Sequence, residues 1–192
     1  MTADIMRYEG AFAKFSTFIN TLTPSDRIAL LHDSDPDGFS AATIVIKALQ
    51  KRKLDFALTM PKNHKHRSVN DEFLKTMQNN KITKLIVVDL PFESYENSDR
   101  LKGVEVLVLD HHQITAQSIP KYCTVLKPDL LQSDIPNHSF PASYLCYVLF
   151  DRLIGVKEID WVAALGILGD RSFPSHRAFV ASVFARLGLG MN

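Results

Sequence analysis

Acidic side chains, two of them beside histidines, follow three separate apolar segments of this sequence. They lie in HDSDPDG at 32–38, at Asp89, and in DHH at 110–112. A single aspartate after a strand is commonly a helix cap or a turn residue. Carboxylates from three segments that met at one place would repel each other, and a cation would neutralise them. The sequence therefore predicts a metal site.

Short apolar runs precede these residues and are predicted to be strands. The runs are residues 27–32, 54–60, 84–89 and 104–110, and residues 124–127 add a fifth. Short, continuously apolar runs are typical of parallel strands that are buried on both faces. Helical patterns lie between them, at residues 40–53, 69–79 and 95–101. The alternation predicts an α/β fold: a doubly wound, mostly parallel sheet of about five strands with helices on both faces.

The chain becomes helical after Asp134. Apolar residues at three- and four-residue spacings predict helices at residues 140–153, 158–168 and 175–187. Tyr147, Phe150 and Trp161 are expected to pack in the core of this part. We expect one catalytic domain over residues 1–192, with the sheet at about 26–130 and a helical part at about 138–190.

The carboxyl edge of the predicted sheet is where the acids meet, because ligands bind at the carboxyl ends of parallel strands. Asp33, Asp35 and Asp37 alternate, so they share one face of an extended chain. Asp170 follows an apolar helix, and the helix C-terminus disfavours a carboxylate unless a metal compensates. A calcium loop is excluded because Ile44 stands where the twelfth-position glutamate is needed.

Mixed carboxylate and imidazole ligands suit Mn²⁺, Mg²⁺ or Fe²⁺, and the imidazole favours Mn²⁺. Several acids and a histidine exceed what one ion needs, so two ions about 3.5–4 Å apart are expected. Such a pair activates water and neutralises charge on a phosphoryl group. The predicted chemistry is hydrolysis of a phosphate ester or anhydride. The sequence has no P-loop, dinucleotide-binding or nucleophile-elbow motif.

Composition excludes several other classes of protein. Lysine and arginine number 22 against 21 acids, so the net charge of +1 excludes a basic field over the whole protein. Cys123 and Cys146 form no CxxC motif, which excludes a zinc cluster and indicates a reducing, cytoplasmic setting. The first ten residues do not form a signal peptide, and no apolar window is long enough to span a membrane. A soluble protein without a membrane role is expected.

The motifs and their order resemble the DHH phosphoesterase superfamily, and look most like its RecJ-like, archaeal-type branch. The resemblance covers roughly residues 27–171, from DPDG at 35–38 to Asp170 in LGD. It implies a metal-dependent phosphodiesterase: a RecJ-like exonuclease on single-stranded DNA or RNA, active in DNA repair. It also implies two Mn²⁺ or Mg²⁺ ions per site, with replication or repair proteins as partners. The oligomeric state is not indicated.

Metal ligands are carried over from the resemblance position by position. The residues implied for the first ion are Asp35 and Asp89, with either Asp33 or His32. Those implied for the second ion are Asp37, Asp89, His111 and Asp170, so Asp89 bridges the two ions. His112 faces the substrate phosphate, and Asp110 orients a histidine as carboxylates commonly do. Asp110, His111 and His112 thus form the implied catalytic group.

The sequence departs from the RecJ-type pattern at two places. Relatives often carry a histidine two or four residues before the first aspartate of DxDG. Here Asp33 and Leu31 occupy those positions and His32 lies between them, so the choice between His32 and Asp33 stays open. The usual C-terminal substrate-binding domain, with its glycine-rich motif ending in histidine, is expected to be absent after Asp170.

Four further residues are candidates for binding phosphate. They are Arg171 beside Asp170, His138 before a predicted helix, and Lys65 and Arg67 in the basic run at 62–67. Two alternatives to the exonuclease remain. One is a phosphoesterase for an oligoribonucleotide, a cyclic dinucleotide or pyrophosphate, which the short chain and near-neutral charge favour. The other is a non-catalytic RecJ-like subunit of a replication complex, which the retained acids oppose.

Overall fold

A computed structural model describes residues 9–62, 68–116, 118–128 and 139–190. Its strands are β1 (Ile28–Asp33), β2 (Phe56–Lys62), β3 (Lys84–Val88), β4 (Glu105–Leu109) and β5 (Cys123–Leu126). Its α-helices are α1 (Glu9–Thr21), α2 (Pro36–Lys51), α3 (Asp71–Asn79), α4 (Ala142–Ile154), α5 (Asp160–Gly169) and α6 (Phe173–Arg186). Among the described residues, no helix is both long enough and apolar enough to cross a lipid bilayer.

The five strands form one sheet in the order β2-β1-β3-β4-β5, and every neighbouring pair is parallel. Register aligns their carboxyl ends: His32 pairs with Val88, and Leu109 pairs with both Val88 and Leu126. The strand order reverses between β1 and β3, and such a switch point opens a crevice for ligands. The predicted α/β fold with five strands is confirmed.

Side chains alternate between two cores, one on each face of the sheet. Leu30 and Ile86 pack with α1, α2 and α4 to α6 on one face. Leu31 and Val87 pack on the other face with α3 and with the chain after β3. Both faces are therefore covered, which explains why the central strands are apolar at every position.

Two glycines of α5 lie where this helix packs closely against α2 and α4. A Cβ at Gly166 would lie 2.1 Å from Oγ of Ser143 and 2.9 Å from Oδ1 of Asp37. A Cβ at Gly169 would lie 2.4 Å from Cβ of Pro36. Glycine costs about 1 kcal/mol relative to alanine inside a helix. Here it permits α5 to approach α2 and α4 closely.

Three expectations from the sequence were wrong or incomplete. The predicted helix at 95–101 is instead an irregular segment with the 3-10 turns Phe92–Ser94 and Ser98–Arg100, because Asn97 between them has a left-handed backbone, φ +59°. Trp161 is 43% exposed, since it lies on the outer face of α5. Helix α1 was not predicted, although Phe15, Phe18 and Ile19 have helical spacing and are buried.

Candidate metal centre

The loop between β1 and α2 carries the first set of acids. β1 ends at Asp33, and Asp35 caps α2 by accepting a hydrogen bond from the Gly38 amide at 2.8 Å. A Cβ at Gly38 would lie 2.5 Å from the Asp33 carbonyl oxygen, so this tight turn requires glycine. Asp37 lies in the first turn of α2. The expected extended chain with three aspartates on one face is therefore wrong: the turn into α2 gives Asp37 a different direction.

Asp37 joins the two parts of the fold. Its Oδ2 accepts a hydrogen bond from the Ala142 amide at 2.7 Å, and its Oδ1 accepts one from the Ser143 amide at 3.0 Å. These are the first amides of α4, whose own cap residue, Pro141, offers no side-chain hydrogen bond. Burial raises the pKa of Asp37 to about 6. A carboxylate on α2 thus replaces the missing cap of α4.

Asp89 lies directly after β3 at the centre of the site. Its φ is +58°, a left-handed conformation that aspartate and asparagine tolerate better than most residues. The side chain is buried, and Oδ1 has no hydrogen-bond partner among the described residues, although Nε2 of His111 is 3.2 Å away. Burial and the charge of Asp37 hold the pKa of Asp89 well above its ordinary value. A buried carboxylate oxygen without a hydrogen bond fits a cation.

The residues Asp110, His111 and His112 follow β4, and their side chains make different contacts. Asp110 contacts His112 and Lys127: its Oδ1 is 2.7 Å from Nδ1 of His112, and its Oδ2 is 2.7 Å from Nζ of Lys127. Burial would raise the pKa of Asp110, but the hydrogen bond from His112 and the Lys127 charge outweigh it and hold that pKa well below the ordinary range. His111 turns toward Asp89, and its side chain is 10% exposed.

The side chains form three groups of potential metal ligands, and within each group the ligand atoms lie within 4.8 Å of one another. The groups are Asp33 with Asp35 and Asp89, Asp37 with His111 and Asp170, and Asp89 with His111 and His112. Asp89 and His111 each belong to two groups, so the three groups adjoin. The first group has three carboxylates, the second has two carboxylates and one imidazole, and the third has one carboxylate and two imidazoles. The carboxylate-rich first and second groups fit Mn²⁺ or Mg²⁺. The arrangement offers ligands for two ions, with Asp89 between them.

The remaining candidate residues from the sequence are not among the three ligand groups. Nδ1 of His32 lies 2.7 Å from the Asp33 carbonyl oxygen, its ring packs on Phe39, and it belongs to none of the three groups. Arg171 is exposed and has φ +59°, directly after Asp170. The candidates Lys65, Arg67 and His138 lie outside the described residues.

Sequence reasoning missed two buried charged residues at this edge. Lys127 follows β5 and is fully buried, and Glu93 lies in the 3-10 turn after β3. A lysine as the last residue of the predicted strand 124–127 was a signal, since it falls on the same edge as the acids. Glu93 gave no signal, because it lies between the predicted strand at 84–89 and the predicted helix at 95–101.

The charge on His111 predicts how the protein without metal responds to pH. Burial alone would lower the pKa of His111, but Asp89 and Asp37 outweigh it and raise that pKa to about 10. Between about pH 7 and 8.5 the folded state therefore holds a proton that the unfolded chain has lost. The free energy of unfolding should fall by about 2 kcal/mol over this range, at ~1.4 kcal/mol per proton and pH unit. Thermal unfolding in EDTA measures this.

Saturating Mn²⁺ should remove that pH dependence, because a metal ion takes the lone pair that the proton occupied. The variant Asp71→Asn, which changes an exposed ion pair away from this site, is the control and should keep the wild-type profile in EDTA. A melting temperature of the EDTA-treated protein that rises from pH 7 to 8.5 would contradict this account of His111.

The chain matches a protein-family model and several solved structures. The model of the DHH family, N-terminal domain, matches residues 27–160. The crystal structure of exonuclease RecJ bound to manganese is 23% identical with a TM-score of 0.71, and the match covers 93% of this chain and 48% of that one. RecJ in complex with Mn²⁺ from Thermus thermophilus is 22% identical, with a TM-score of 0.64 and coverage of 85% and 24%.

A third solved structure, CDC45 from Entamoeba histolytica, is 16% identical with a TM-score of 0.66, and the match covers 94% of this chain and 38% of that one. No curated protein sequence matches this chain. The chain thus spans less than half the length of these three solved proteins, and the likenesses show the fold. With its family match over residues 27–160 and its DHH triplet at the carboxyl edge of the sheet, the chain belongs to the DHH family and carries that family's N-terminal domain.

Proposed function

We propose that this protein is a metal-dependent phosphodiesterase with a two-metal centre, a RecJ-like exonuclease on single-stranded DNA or RNA. The observation that carries the proposal is the meeting of three ligand groups around Asp89 and His111. The family, whose relatives include exonuclease RecJ bound to manganese, supports the same chemistry.

Each ion would have its own set of side chains. Asp33, Asp35 and Asp89 would hold one ion, and Asp37, His111 and Asp170 would hold the other. Asp89, which lies beside His111, would serve both ions. When bound, two divalent ions supply a hydroxide near neutral pH and neutralise the charge that develops on the phosphoryl group. The rigid edge of the sheet fixes the ligands, because Asp33, Asp89 and His111 each lie at the end of a strand or within two residues of it.

His112 and Arg171 are proposed to contact the substrate. The His112 side chain is 32% exposed, and its Nδ1 is engaged by Asp110, which leaves Nε2 for a phosphate oxygen. Arg171 is exposed beside Asp170, and a guanidinium can bind a phosphate through two parallel hydrogen bonds. These two groups would orient the phosphodiester for attack by water, which breaks the P–O bond and leaves a phosphomonoester and an alcohol.

The test is a panel of labelled substrates with the purified protein and Mn²⁺ or Mg²⁺. The panel contains single-stranded DNA, single-stranded RNA, a dinucleotide, a cyclic dinucleotide and pyrophosphate, each with an EDTA control. We expect metal-dependent release of mononucleotides from the ends of single strands. Hydrolysis of only the dinucleotide, cyclic dinucleotide or pyrophosphate would support the small-substrate alternative. No hydrolysis of any substrate with either metal would contradict the proposal.

A further inference from the structure

A buried charged cluster lies behind the metal centre and links the ends of β3, β4 and β5. Lys127 and Asp110 are fully buried, and Glu93 is 3% exposed. Nζ of Lys127 is 2.7 Å from Oε1 of Glu93 and 2.7 Å from Oδ2 of Asp110. Taking a lysine and two carboxylates out of water is costly, and apolar residues of similar size often serve stability better. Packing alone therefore does not explain this cluster.

The cluster acts on one residue of the centre, His112, from two sides. Nζ of Lys127 donates a hydrogen bond to the His112 backbone carbonyl at 2.9 Å. Through Asp110, whose Oδ1 is 2.7 Å from Nδ1 of His112, the same lysine also acts on the imidazole ring. The ammonium group of Lys127 thus contacts the His112 backbone directly and the His112 ring through Asp110. The carboxylate accepts, so Nδ1 carries the proton and Nε2 points away from Asp110.

Glu93 completes the cluster on another side of the ammonium group. Lys127 contacts two carboxylates, so the three side chains together carry one net negative charge. Oε2 of Glu93 is buried without a hydrogen-bond partner among the described residues. A buried carboxylate oxygen without a hydrogen bond lowers the stability of the fold. The contact between Glu93 and Lys127 is therefore better explained by a role in function than by a role in stability.

We propose that Lys127 and Glu93 are positioning residues for the reaction: they fix Asp110, and through it present Nε2 of His112 to the substrate phosphate. The inference rests on the proposed function, since it assigns His112 to the phosphate. Neither residue is among the ligand groups, and His112 is in neither of the two groups assigned to the ions, so the cluster should affect turnover rather than metal binding. Outer residues that orient a catalytic group typically contribute 10- to 100-fold to activity.

The experiment compares Lys127→Met with the double variant Glu93→Gln/Lys127→Met. The single variant removes the ammonium group that contacts both carboxylates, so Glu93 and Asp110 are left buried without their shared cation. The double variant removes one charge of each sign, so it keeps the net charge and is the variant expected to fold. Lys84→Met is the matched control, because Lys84 is also a largely buried lysine in an ion pair, here with the exposed Glu105 at the amino ends of the strands.

We expect the double variant to bind Mn²⁺ like the wild type and to lose roughly 10- to 100-fold in kcat, with KM little changed. In ¹⁵N NMR of the metal-free protein, the His112 ring should carry its proton on Nδ1 in the wild type and in Lys84→Met. It should show mixed tautomers in the double variant. A merely structural role for Lys127 would leave these ring signals unchanged.

Two results would overturn the positioning role. One is a folded double variant with wild-type kcat and unchanged His112 signals. The other is a wild-type His112 that lacks the proton on Nδ1, which needs no variant to be measured. If the wild type hydrolyses no phosphodiester, the proposed function fails, and the NMR comparison then decides the positioning role by itself.

Discussion

Asparagine in place of Asp89 should reduce Mn²⁺-dependent hydrolysis by about 10³-fold, which corresponds to ~4 kcal/mol of lost transition-state stabilisation. Asp89 belongs to the group with Asp33 and Asp35, and its Oδ1 is also 3.2 Å from Nε2 of His111, a member of the second ion's group. The variant should therefore weaken both ion sites. Asparagine is the right replacement because Asp89 has φ +58°, which asparagine adopts readily and alanine does not. Steady-state kinetics and a Mn²⁺ binding titration measure the effect.

The matched control is Asp71→Asn on α3. Asp71 is exposed and pairs with Arg100 at 2.7 Å, away from the metal centre, so kinetics and metal binding should stay at wild-type values. If Asp89→Asn keeps wild-type turnover at saturating Mn²⁺ while its fold is intact, Asp89 is not a metal ligand in this protein.

Alanine in place of Gly166 should destabilise the fold and disturb the metal centre together. The new Cβ would lie 2.1 Å from Oγ of Ser143 and 2.9 Å from Oδ1 of Asp37, so α5 must move away from α4. Forcing extra volume into a packed site costs about 1–3 kcal/mol, and here the shift also displaces a proposed ligand. We expect a lower melting temperature and weaker Mn²⁺ binding.

Gly10→Ala is the control for that substitution. Gly10 also lies in a helix, but a Cβ there would meet nothing within 4 Å, so stability should stay the same or rise. The double variant Gly166→Ala/Ser143→Gly removes the clashing side chain and should recover part of the lost stability. A Gly166→Ala protein with wild-type stability and wild-type Mn²⁺ binding would contradict the close approach of α5.

The sheet could be predicted because its strands are buried on both faces. Residues 85–88 and 106–109 are apolar at every position, a pattern that few other elements share. The segment after β3 could not be predicted, because its apolar residues Phe92, Tyr95 and Leu101 suit a helix. Their burial instead comes from two 3-10 turns on the outer face of the sheet.

The acids of the site could be predicted because parallel topology brings strand ends together. Asp33, Asp89 and His111 needed only the positions of three strands. The contact of Asp37 with the first amides of α4 could not be foreseen, because it joins residues more than a hundred positions apart. The cluster around Lys127 was missed for a different reason: Glu93 lies in a 3-10 turn beyond the end of β3, where no predicted element placed it.

The account depends on two metal ions that share Asp89, and anomalous diffraction at the manganese edge tests this most directly. Crystals of the protein grown with Mn²⁺ should give two anomalous peaks about 3.5–4 Å apart. One peak should lie among Asp33, Asp35 and Asp89, and the other among Asp37, His111 and Asp170. A map with no peak in this crevice, or with ions held by other residues, would contradict the account.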